Sequence, residues 1–132
     1  MGFLDRFKRA PRPFVDPASF QASLLKQLAT TLQTVAQLRG LGVAQDAALR
    51  LEFFFYTNAP DKAAALAQAL AGMAYDVRHG VSAGDKSLQV ITGWSTPVRM
   101  VDDTVLAWNA QMARLGLAHD CEFDGWGTNP QQ

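Results

Sequence analysis

One cysteine, Cys121, is all the thiol this chain of 132 residues contains, so no disulfide can close within it and no cysteine-rich zinc cluster can be assembled. A reducing, cytoplasmic setting is expected. An excess of positive charge is equally absent: 12 basic side chains are matched by 12 acidic ones, which leaves no global field to hold nucleic-acid phosphates. Direct nucleic-acid binding is therefore not expected. No apolar run approaches the roughly 20 residues a membrane span needs, which argues against stable membrane insertion. With 10 glycines and 6 prolines, no compositional bias suggests a fibre or a disordered chain. A phosphate-cradling glycine loop, a paired-histidine metal motif and a serine elbow are all missing, so neither catalysis nor a cofactor is expected.

The chain does have 48% hydrophobic and 18% charged residues, the proportions of one compact domain. Its charge is uneven. Arg6, Lys8, Arg9 and Arg12 against Asp5 give residues 1–12 a net +3, and the remainder of this neutral chain carries −3. The opening stretch has charges among Phe3, Leu4 and Phe7 and no continuous apolar core, unlike a secretory signal. Residues 1–16 read as a basic tail, 17–128 as a single domain, and 129–132 as a short polar tail.

Asp16-Pro17 is a helix-start signal, and Leu24, Leu28, Thr31, Val35 and Leu38, widened by Leu25 and Leu32, recur at helical spacing. This predicts a helix over 17–39, ended by Gly40 and Gly42. Leu49 to Thr57 reads as a strand apolar on both faces, with Leu51, Phe53 and Phe55 pointing one way and Glu52, Phe54 and Tyr56 the other. A second helix is expected over 61–74. A hairpin follows, from Tyr75–Val81, with Val77, His79 and Val81 on one face, to Ser87–Gly93. Thr96-Pro97 then opens a third helix through Val98, Val101, Val105, Trp108, Met112 and Leu115, closed by Gly116. Ala118 to Asp124 alternates as a last strand, His119, Cys121 and Phe123 against Asp120, Glu122 and Asp124.

The order is a helix, then β-α-β-β-α-β, which predicts an α+β fold: a ferredoxin-like βαββαβ sandwich with an additional N-terminal helix. Right-handed crossovers place the two later helices on one sheet face and leave Phe54 and Tyr56 on the other. The N-terminal helix, the C-terminal tail or a second copy of the chain is expected to cover them.

Phe123-Asp124-Gly125-Trp126-Gly127-Thr128, straight after the last strand, is similar to the closing motif of the ribonuclease E activity regulator B family. Leu49-Arg50-Leu51-Glu52-Phe53-Phe54-Phe55-Tyr56 and the Ala-rich helix running into Gly72-Met73-Ala74-Tyr75-Asp76-Val77 stand in matching order, so the resemblance spans Leu49 to Thr128. It implies a ferredoxin-like domain that is not an enzyme. It implies also a regulator of RNA decay whose best-known relative binds ribonuclease E outside its catalytic half and restrains it.

The glycines around Trp126 allow two roles for it, a ring folded back over apolar surface or an exposed anchor. Asp120, Glu122 and Asp124, beside Phe54 and Tyr56, would make an acidic rim around aromatics. The partner-binding candidates are thus Trp126, Asp124, Glu122, Asp120, Phe54 and Tyr56, meeting a protein partner: ribonuclease E or another protein with a basic segment. Trp108 is expected in the core, and Trp94 at a strand end fits either place. The alternative function is a dimeric small-molecule-sensing module. A thiol or metal enzyme at His119 and Cys121 lacks a third ligand and an orienting carboxylate. Cys121 is expected buried and unligated.

Overall fold

The computed structural model describes residues 12–132; the basic stretch of residues 1–11, with its Phe3, Leu4 and Phe7, lies outside them. The elements, in chain order, are α1 (Phe20–Gly40), β1 (Ala48–Leu49), β2 (Leu51–Thr57), α2 (Pro60–Gly72), β3 (Asp76–Val81), β4 (Gln89–Trp94), β5 (Val98–Arg99), α3 (Asp102–Ala118) and β6 (Glu122–Thr128). This is a mixed α+β chain with three helices and two antiparallel sheets. The larger sheet has the order β3-β4-β2-β6, and β1 pairs with β5 in a separate ribbon.

Leu51, Phe53 and Phe55 of β2, Ile91 of β4 and Phe123 of β6 form one apolar face, and buried residues of all three helices join the same core. Phe54 and Tyr56, whose side chains alternate to the other face, are half-buried and belong to neither that core nor the residues packed on it. The N-terminal helix is not their cover. It packs against α3 on the core side, burying Leu24, Thr31, Val35 and Leu38, and leaves Leu25 and Leu32 of the expected stripe exposed.

Several expected boundaries move for physical reasons. Helix α1 begins at Phe20 rather than residue 17 because the Asp16 carboxylate accepts from the Ala18 amide and the Ser19 hydroxyl, closing a separate turn first. The strand expected over Leu49–Thr57 breaks at Arg50, whose amide and carbonyl bond the Gln132 side chain. Val98, expected on the stripe of the third helix, is buried but precedes that helix: Val98–Arg99 is extended and pairs with Ala48–Leu49. The helix starts only at Asp102-Asp103, two carboxylates that suit a helix N-terminus. In β3 only Val77 packs on the core; His79 and Val81 are exposed on what is an edge strand of the sheet.

Each helix ends in the same way. The residue after the cap adopts positive φ (Gly42 at 95°, Ala74 at 64°, Asp120 at 54°), and the next amide bonds back to a carbonyl of the last turn, Val43 to Leu38, Tyr75 to Leu70 and Cys121 to Gly116. Gly116 therefore does not close α3. It lies in the last turn, where a Cβ would stand 2.9 Å from the Phe55 ring and 2.6 Å from the Cys121 carbonyl oxygen.

Candidate protein-docking surface

The residues expected to share one acidic, aromatic surface are distributed over three places. Asp120 is not on the last strand. As the positive-φ residue closing α3, it turns its carboxylate to the Phe14 and Val15 amides at 2.9 and 2.8 Å and to Lys62 Nζ at 2.6 Å. Burial pushes this carboxyl up, and the bonds from Lys62 and the two amides outweigh it, holding the group below its ordinary range. Asp120 is thereby committed to internal bonds that moor residues 14–15 to the domain.

Glu122 is exposed and stands opposite Tyr56 in the β2–β6 register, on the face without helices. Asp124 goes elsewhere, because β6 carries a bulge. Phe55 pairs with Phe123 and Phe54 with Gly125, so Asp124 is the extra residue, and Gly125 takes φ 127°, which side chains rarely adopt. A one-residue offset exchanges the faces of everything beyond it. Trp126 consequently points to the core side of the sheet.

There Trp126 is half-buried and packs edge-on against Trp108, with ring centroids 6.3 Å apart. Its indole Nε1 donates to Thr31 Oγ1 at 2.9 Å, and that hydroxyl donates to Asn109 Oδ1 at 2.6 Å. Asn109 donates in turn to Gln27, whose amide donates to the Phe123 carbonyl at 2.7 Å. The chain of bonds ties the motif to both α1 and α3. A recess of about 260 Å³ beside it is lined in part by Lys26, Thr30, Asp124 and Trp126. Of the motif residues, only Asp124 is exposed.

The helix-free face is therefore where partly exposed aromatics gather. Across three strands it presents Glu52–Trp94–Asp76, then Phe54–Thr92–Arg78, then Tyr56–Val90–Gly80, with Glu122 beside Tyr56. Trp94 lies here, half-buried, whereas Trp108 is in the core with its Nε1 donating to the Tyr75 hydroxyl at 3.0 Å. Arg50 pairs with Asp76 at the rim. Trp94, Thr92 and Arg78 escaped the sequence reading as site residues, although the Val90, Thr92, Trp94 alternation on a central strand was the available signal.

Cys121 is buried, as expected, and its thiol's polar neighbours are the Lys62 and His119 carbonyls. Burial pushes the thiol up to about 11, the opposite of what a nucleophile requires. No three metal-ligating side chains come together among the described residues. No described helix is long and apolar enough to cross a membrane.

The family model described as "Regulator of ribonuclease activity B" matches residues 28–128. No curated protein matches the chain.

Proposed function

The chain belongs to the regulator of ribonuclease activity B family, and from that premise we propose that it acts without chemistry of its own, by binding a ribonuclease as a protein partner and restraining RNA decay. Ribonuclease E, through a basic segment outside its catalytic half, is the partner this reading names, and the cytoplasm is where the two meet. The observation that carries the reading is the helix-free sheet face, where Phe54 and Tyr56 remain half-exposed with Glu122 beside them. Aromatic side chains supply contact area at low entropic cost, and carboxylates at the edge steer a basic partner toward it. The strand order β3-β4-β2-β6 supports classing the domain as ferredoxin-like with an added N-terminal helix, an architecture that leaves such a face available. The protonated state of the buried Cys121 supports a non-catalytic role.

In this reading Phe54, Tyr56 and Glu122 touch the partner, Asp124 adds charge at the adjoining rim, and Trp126 and Asp120 hold those elements in place from within. Calorimetric titration of the purified protein with the non-catalytic region of ribonuclease E tests it. Tyr56→Ala is expected to weaken binding about tenfold or more, and Glu122→Lys to slow association and flatten its salt dependence. Unchanged affinity in both folded variants, or no binding by the unaltered protein, would overturn it.

A further inference from the structure

On the reading that the helix-free face binds a protein, we propose that this face selects an extended segment of mixed charge, in which an acidic side chain sits over Thr92 between two basic side chains. The starting point is a buried hydroxyl. Thr92 is only 6% exposed, and its Oγ1 is buried without a hydrogen-bond partner among the described residues. A buried hydroxyl left unpaired costs stability, so its retention at the centre of an uncovered face marks a place where a ligand atom completes the bond.

The surroundings define that atom. Thr92 stands between Phe54 on β2 and Arg78 on β3 in the strand register, positions whose side chains are direct cross-strand neighbours. Arg78 is exposed and forms no ion pair with a described residue. A hydroxyl donor beside a free guanidinium suits a carboxylate, which accepts from both.

The neighbouring rows carry the opposite sign. One row along the strands is Glu52, and one row the other way is Glu122, neither ion-paired with a described residue, whereas Asp76 is already matched by Arg50. The face thus reads negative, positive, negative. Rows on a sheet are two residues apart, about 6.8 Å, which is also the repeat of same-side residues in an extended peptide. The complementary segment is basic-x-acidic-x-basic, its backbone lying over β2 and β4 with Phe54, Tyr56 and Trp94 beneath. Single-stranded RNA could stack on the same aromatics, but a polyanion meets Glu52 and Glu122 unfavourably.

Fluorescence anisotropy at low salt with three labelled peptides of equal length, with the cores Lys-Thr-Glu-Thr-Lys, Lys-Thr-Lys-Thr-Lys and Glu-Thr-Lys-Thr-Glu, and with a short oligouridine tests this. The first peptide is expected to bind about fivefold tighter than the second despite its smaller charge, and Arg78→Glu to reverse that order. Thr92→Val, which keeps the shape and removes the hydroxyl, is expected to weaken the first peptide alone about fivefold without lowering the melting temperature. A merely structural threonine would do the reverse. Equal or tighter binding of the all-basic peptide, an order unmoved by Arg78→Glu, tightest binding of the oligouridine, or no peptide binding at millimolar concentration overturns the proposal. The ribonuclease E titration run in parallel separates the two readings: binding retained with the wrong peptide order removes only this inference, and binding absent with the right order removes only the choice of ribonuclease.

Discussion

Trp126 shows how a half-buried side chain that invites reading as a binding anchor can also be tied to the core. Its indole bond to Thr31 and its edge contact with Trp108 make it a bolt between β6 and the two packed helices. Trp126→Phe keeps most of the ring and loses the bond, so thermal denaturation should show a cost of about 1 kcal/mol, shared non-additively with Thr31→Val. Cys121 makes a second prediction at this scale. Its folded-state value of about 11 lies above the ordinary thiol value of 9.0, so the folded chain holds the thiol proton more tightly than the unfolded one. That stabilisation is complete below pH 9 and is lost as pH rises toward 11, on the order of 2 kcal/mol over the interval. Denaturant titrations of the unaltered protein and Cys121→Ala at pH 8 and pH 10.5 should therefore show a smaller loss in the variant.

The helices and strands were legible where apolar periodicity was strong and obscure where a single backbone angle decided the outcome. The alternation of Leu51 to Tyr56 put Phe53 and Phe55 inside and Phe54 and Tyr56 outside, as observed, because side-chain period in a strand is set by geometry alone. The helix ends at Ala74 and Asp120 left no such trace, and at the bulge Gly125 hinted at a turn without showing that the faces exchange. Positive φ is advertised by glycine, and two of the three helix-closing residues are not glycine. The short β1–β5 ribbon was hidden for another reason, since the valines at 98 and 101 fit helical spacing as well as extended backbone. Ala74 offers a direct test of the helix-closing geometry. An alanine at φ 64° is strained, so Ala74→Gly should stabilise the protein by roughly 0.5–1 kcal/mol, measurable as a higher denaturant midpoint at unchanged slope. Gly116→Ala should do the opposite, costing about 1–3 kcal/mol, because the added methyl collides with Phe55 and the Cys121 carbonyl.

For the whole molecule, the sheet order separates neighbours in space from neighbours in sequence. The central strand β2 comes early, its partner β4 follows a helix and completes a hairpin, and its other partner β6 is the last element described. During synthesis, then, β2 waits with one edge unpaired and the Phe53 and Phe55 face incompletely covered until Thr128 has left the ribosome. Every earlier nascent length exposes an apolar strand with a free edge, the kind of surface that recruits chaperones or pairs with another chain. Emergence of β6, rather than of any one helix, is what completes the pairing of the central strand.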